Sequence, residues 1–213
     1  MTSDETRLNP RKSPRQGRSR ATCAAILEAA ARILETEGGH GLTTNHVAAL
    51  AGVSVGSLYQ YFPGKQAILA ELIRRMRQEM LADFEQAALE ARGRDLAFAI
   101  DALTAASLRH HLRRPALAQA LEREEPELQL DDEIHALKAR MRELIIDVLR
   151  DRNVAEPERT GMDVMALARG MSEAAIQAGQ RDFDDLQRRL GRAIRGYLGL
   201  AVPSLVGEPR QEG

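Results

Sequence analysis

The chain carries no carboxylate between Asn45 and Lys65, and within that stretch Val55–Gln60 reads VGSLYQ. Small, hydroxyl, amide and aromatic side chains of this kind do no covalent chemistry. They make close contacts and exchange hydrogen bonds. Displayed on one face of a helix, they suit the major groove of B-DNA, where base edges offer donors, acceptors and the thymine methyl. An acid there would be repelled by the phosphates. Groups able to do acid–base or nucleophilic work are not arranged for it: there is no Gly-rich phosphate loop and no cysteine–histidine cluster, and the many carboxylates are scattered over polar faces. No enzymatic activity and no cofactor are expected. His110 and His111 are neighbours in sequence, so on a helix they should point in different directions; metal pairs normally sit four residues apart. No metal site is expected.

Two short helices must hold the VGSLYQ face. In LTTNHVAALAGVSVGSLYQYFPGK (Leu42–Lys65), Thr43 or Thr44 can cap a first helix by accepting from backbone N–H groups that lack partners in the first turn. Val47, Ala48 and Ala51 then share one face. Gly52 ends that helix, Ser54 caps a second that runs to about Tyr61, and Pro63 suits the first turn of a third. Two helices of about two turns around a glycine form a helix-turn-helix. Ala48 is small where the helices cross, and Val53 and Leu58 are expected to point into their shared core. That leaves Val55, Gly56, Ser57, Tyr59 and Gln60 outward.

The order Leu-Thr-Thr, Val-Ala…Ala-Gly-Val-Ser and Ser-Leu-Tyr-Gln-Tyr-Phe-Pro-Gly-Lys resembles the TetR family of bacterial transcription regulators, over roughly residues 19–79. The resemblance implies an all-α protein: a three-helix helix-turn-helix DNA-binding domain at 18–79, with the motif at about 43–62, and a C-terminal bundle of about five to six helices at 80–202 for effector binding and dimerisation. It further implies that Thr44, Tyr59, Tyr61 and Lys65 contact phosphates. Asn45, Val55, Gly56, Ser57 and Gln60 fall where base edges are approached. Val-Gly at 55–56 departs from many relatives and leaves a small reading surface. The implied protein is a ligand-responsive repressor, bound as a homodimer to a palindromic operator in double-stranded DNA. An activator, or an architectural DNA binder without small-molecule control, is the alternative.

The rest of the chain fits this frame. Composition is that of an ordinary soluble protein, 44% hydrophobic and 29% charged, with aromatics at only 3%, which favours close-packed helices rich in alanine and leucine. No apolar run approaches the ~20 residues that would span a membrane. With no signal peptide visible and Cys23 the single cysteine, a cytoplasmic location is expected. Net charge is −1, yet residues 1–75 hold ten Lys and Arg against six Asp and Glu, so the excess of positive charge lies at the end expected to meet DNA. Residues 1–17, rich in Pro, Ser and charge, should be a disordered basic arm. With Arg18 and Arg20 beyond them, Arg11, Lys12 and Arg15 could neutralise phosphates or enter the minor groove.

A first helix should run from Ser19 or Arg20 to about Glu37, burying Ile26, Ala29, Ala30, Ile33 and Leu34. A long helix from Pro63 to about Ala91 should bury Ile68, Leu69, Leu72, Ile73, Met76, Met80, Phe84 and Ala87. Beyond Gly93, helices are expected at 95–113, 116–125, 132–151, 158–180 and 182–200, with a flexible tail at 203–213. Glu122–Glu133 holds seven acids and should be a solvated loop leading into the next helix. Phe98, Leu103, Leu121 and Met141 are candidates to line a pocket for a small apolar or amphipathic effector. The last two helices carry small residues and the stripe Phe183, Leu186, Leu190, Ile194 and Tyr197; by the resemblance they pair with a copy of themselves as a dimer interface.

Overall fold

The computed structural model describes residues 17–128, 131–180 and 182–201, excluding the side chains of residues 17 and 18. Among them every regular element is helical. In chain order these are α1 Gly17–Gly41, α2 Thr44–Leu50, α3 Val55–Tyr61, α4 Lys65–Glu90, α5 Leu96–Arg113, α6 Pro115–Glu124, a 3₁₀ turn Glu125–Glu127, α7 Asp132–Arg150, α8 Pro157–Gln177 and α9 Phe183–Tyr197. The expected arm up to Gln16 and the tail 203–213 lie outside the described residues, as does the side chain of Arg18.

Two compact units are present. Residues up to Asp83 together with Arg109–Met141 form one; Phe84–Leu108 and the residues from Arg142 onward form the other.

In the first unit the helix boundaries follow local signals. Thr43 Oγ1 accepts from His46 N at 3.1 Å, and Ser54 Oγ accepts from Ser57 N at 3.1 Å, so both short helices start where a side chain replaces a missing backbone partner. Gly52 sits at φ 68°, a conformation that costs a residue with a Cβ about 1 kcal/mol or more, and Val53 N closes the turn on Ala48 O at 3.0 Å. Leu42, Val47, Ala48, Leu58 and Phe62 are buried, at about 1.5–3 kcal/mol for each large side chain. The α1 stripe and the α4 stripe are buried residue for residue as their spacing predicts. Cys23 is buried too, and burial pushes its thiol pKa up, away from the reactive thiolate.

Helix α1 breaks at Gly38, φ 69°, next to its expected end at about Glu37, and a short helical segment follows to Gly41. Two expectations fail in this unit. The long helix starts at Lys65 rather than at Pro63. The acid-rich segment leads into α7 as expected, with Asp132 and Glu133 in its first turn, but it is solvated only in part. Glu125 is buried, accepts from Arg77 on α4, and lies 2.8 Å from Lys138 Nζ on α7. Asp131 and Glu133 both pair with Arg74, which is itself buried, Glu133 at 2.9 Å from Nε. Glu125 and Asp131 are withdrawn from solvent because the basic residues of α4 face them, while Glu127, Asp132 and Glu133 stay exposed. Two further links tie helices of this unit. Arg113 grips Asp83 through two bonds of 2.7 and 2.8 Å, and Arg114 grips Glu35 through two of 2.8 Å while reaching Glu28 at 3.0 Å.

In the second unit α8 packs on α9. A Cβ at Gly161 would meet Ile146 Cγ1 at 3.0 Å, so glycine there permits close approach of α8 to α7. Arg195 on α9 bonds Asp101 on α5 at 2.9 Å. The stripe expected for self-pairing is largely used inside the unit: Phe183, Leu186, Leu190 and Ile194 are buried, and only Tyr197 remains exposed, at 47%.

Candidate nucleic-acid interface

Most of the residues singled out around the helix-turn-helix are exposed, and one pair of them meets. On α3, Val55, Gly56, Tyr59 and Gln60 are exposed, while Leu58 points the opposite way and is buried. Leu58 is the one fully buried residue of α3, with Ser57 and Tyr61 half-buried beside it; Val53, expected in the core, is only half-buried in the turn. Asn45 is exposed on the first turn of α2, and Lys65 is exposed at the start of α4. Tyr61, at the end of α3, is half-buried beside the buried Phe62.

Two of these side chains touch. Thr44 Oγ1 and Tyr59 OH lie 3.2 Å apart, which fixes the tyrosine ring across the N-terminus of α2. The hydroxyls then stand side by side: one donates to the other, which keeps its own O–H free to donate to an anionic oxygen. Ser57 is less available than its position suggested. Its Oγ lies 2.8 Å from Ser54 Oγ, so it takes part in the cap of α3 and is half-buried. His46 faces α1: its Nδ1 lies 3.4 Å from Gly41 O and its Nε2 3.8 Å from Glu37. That contact joins α2 to the kinked end of α1.

This stretch also holds one pattern of catalytic type. Gly52-Val53-Ser54-Val55-Gly56 spells Gly-x-Ser-x-Gly, the pattern of a nucleophile elbow. An elbow needs a strand before its serine. Here α2 precedes it, and Ser54 is occupied as the α3 cap.

Of the four candidate effector residues, Phe98 and Leu103 belong to the second unit, Leu121 and Met141 to the first. Leu103, Leu121 and Met141 are buried. Phe98 is half-buried, with the Arg94 guanidinium 4.0 Å over its ring. His110 and His111 do not diverge as expected: both rings turn onto Glu122 of α6, with Nε2 at 3.1 and 3.4 Å from the same oxygen, Oε1. Nothing in the sequence pairs a glutamate eleven or twelve residues away with those rings; the break at Arg114–Pro115 starts α6, which packs on α1 and brings Glu122 to them. No described helix is long and apolar enough to cross a membrane.

Comparison with known proteins places this geometry. Residues 26–72 match the family of bacterial regulatory proteins of the tetR type, and residues 95–198 match a tetracyclin repressor-like C-terminal domain; the two together take in most of the chain. No protein of curated function matches the sequence. Among solved structures, the TetR-family regulator PfmR of Thermus thermophilus is 21% identical, with a TM-score of 0.63 over 85% of this chain and 99% of that one. A Rhodococcus protein of unknown function gives a TM-score of 0.69 at 20% identity, over 84% and 95%. The TetR-like regulator LfrR of Mycobacterium smegmatis, solved with proflavine, gives 0.59 at 23% identity, over 87% and 99%. Helix-turn-helix geometry, an all-helical fold and both matched segments agree: the chain belongs to the TetR family of transcriptional regulators.

Proposed function

We propose that the protein is a ligand-responsive repressor that binds a palindromic operator as a homodimer. Residues 18–79 serve as its DNA-binding domain and 80–202 as its effector-binding and dimerisation domain. The observation that supports the reading most is the exposed, acid-free face of α3 beside the paired hydroxyls of Thr44 and Tyr59. In this reading Thr44, Tyr59, Tyr61, Lys65 and Arg18 position the protein on phosphates, and Asn45, Val55, Gly56 and Gln60 approach base edges, with Ser57 a lesser contributor. The protein acts by binding rather than by catalysis, in the cytoplasm.

Dimerisation is assigned to the outer face of α8 with the end of α9. Met162 is 62% exposed, and Ala166, Leu167, Gly170, Met171 and Tyr197 line a shallow, mostly apolar groove with Asp163, which accepts from the Tyr197 hydroxyl. An apolar strip of this kind on a solvent face favours burial against a second copy. A Cβ at Gly170 would meet nothing within 4 Å, so a side chain added there leaves the protomer's own packing alone. Gly170→Arg should therefore convert dimer to monomer in sedimentation while helicity is retained. Selection from random duplexes with the wild-type protein should return an inverted repeat with half-sites about 34 Å apart, one turn of the duplex. Gly170→Arg should bind that repeat at least ~10-fold more weakly. A dimer that survives Gly170→Arg, or an unrepeated half-site returned by the wild type, contradicts this assembly. LfrR was solved with proflavine, which supports small apolar or amphipathic molecules as the class of effector to screen here.

A further inference from the structure

His110 and His111 end α5, and Glu122 lies on α6, all within one compact unit. Both histidines are buried, at 7% and 1% exposure, and their ring centroids are 4.1 Å apart. Their Nε2 atoms lie 3.1 and 3.4 Å from a single carboxylate oxygen, and the three donor atoms all fall within 4.8 Å of one another. We propose that His110, His111 and Glu122 form a binding site for a first-row divalent transition ion of the Zn²⁺ class.

The distances carry the assignment. A tetrahedral zinc with ligands at about 2.0–2.1 Å has donor–donor edges of about 3.3–3.4 Å. The two histidine–carboxylate separations bracket that length, and the histidine–histidine edge is at most 4.8 Å. Chemistry agrees. Two imidazoles and one carboxylate form a borderline set that suits Zn²⁺, Co²⁺ or Ni²⁺, whereas Mg²⁺ and Ca²⁺ prefer all-oxygen sites.

His110 Nδ1 is buried without a hydrogen-bond partner, the cost of presenting Nε2 to the carboxylate. Three protein ligands leave a fourth position for water or an exchangeable group, as in zinc sites that are not closed structural ones.

The site stands apart from the DNA-binding reading and is tested without DNA. The full-length protein, freed of metal by a chelator, is titrated with Zn²⁺ against a chromophoric competitor and with Co²⁺ in the visible. One ion per chain is expected, with the intense ligand-field bands of tetrahedral cobalt. X-ray absorption of the zinc complex should show nitrogen and oxygen neighbours and no sulfur, which excludes Cys23 without any substitution. Glu122→Gln and His110→Gln should each weaken Zn²⁺ binding at least ~100-fold and abolish the zinc-induced rise in Tm, with helicity checked by circular dichroism. His46→Ala and Cys23→Ser should leave binding unchanged. The assignment is overturned if the wild type takes up no stoichiometric Zn²⁺ or Co²⁺. It is equally overturned if sulfur appears among the metal's neighbours, or if binding follows His46→Ala or Cys23→Ser while persisting in a folded Glu122→Gln.

Discussion

Gly56→Glu is expected to abolish operator binding and to leave the fold intact. Gly56 lies on the exposed face of α3 with helical φ, and a Cβ built there would meet only Ser54 Oγ, at 4.0 Å. The substitution therefore asks nothing of the core. It should even favour the helix slightly, since an acid in the first turn suits the dipole and glycine is the poorer helix former by about 1 kcal/mol. Against DNA it is severe. It places a carboxylate where the chain carries no acid from Asn45 to Lys65, on the surface proposed to face phosphates and base edges. A loss of at least ~100-fold, about 2.7 kcal/mol, is expected in fluorescence anisotropy with the selected duplex. Gly56→Ala, with the same backbone effect and no charge, should bind at least ~10-fold more tightly than Gly56→Glu. Equal affinities for the two variants would show that the face does not meet DNA.

Glu125→Ala is expected to be the most damaging change to stability. Glu125 accepts from Arg77 and lies 2.8 Å from Lys138 Nζ, with its own side chain 9% exposed and that of Arg77 13% exposed. Removing one member of a buried pair leaves the other charge without compensation, at about 3–5 kcal/mol, because the desolvation cost of Arg77 persists and its partner does not. Urea unfolding should record the loss at neutral pH. The pH dependence has a definite sign. Burial would raise the Glu125 pKa, but the bonds from Arg77 and Lys138 outweigh it and hold it below its ordinary 4.5. A carboxyl depressed by folding contributes stability above its unfolded pKa and loses it as pH falls through its folded pKa. The stability gap between wild type and Glu125→Gln should therefore be constant above pH 4.5 and shrink as pH drops below it. A gap that widens on acidification would contradict the pairing.

What was legible in the sequence and what was not divide by distance along the chain. The caps at Thr43 and Ser54 and the turn at Gly52 are set by residues one to four positions away, so the helix-turn-helix could be placed almost to the residue. The outward face of α3 followed from that placement. Burial of α1 and α4 followed from helical periodicity, which is also local. The acids of 122–133 gave no such signal. Their partners Arg77 and Arg74 lie 48 and 57 residues away, and a run of carboxylates reads as solvated until the helix that neutralises it is known. For the same reason His110 and His111 read as divergent until α6, starting at Pro115, brings its Glu122 to them. The α9 stripe was visible as apolar, but periodicity does not say whether a stripe is covered by its own unit or by a copy. Here Phe183, Leu186, Leu190 and Ile194 are covered within the unit.

The central claim is that side chains displayed by α3 read the bases of duplex DNA. Selection from random duplexes, run in parallel on the wild type and on Val55→Ala/Gln60→Ala, tests it most directly, since both side chains are exposed and neither supports the core. Loss of a good base contact is worth about 1–3 kcal/mol at the base pair concerned. The doubly substituted protein is expected still to bind DNA through its phosphate contacts but to select a motif degenerate at one or two base pairs in each half-site. Recovery of one and the same motif from both proteins, with equal preference at every position, would contradict it.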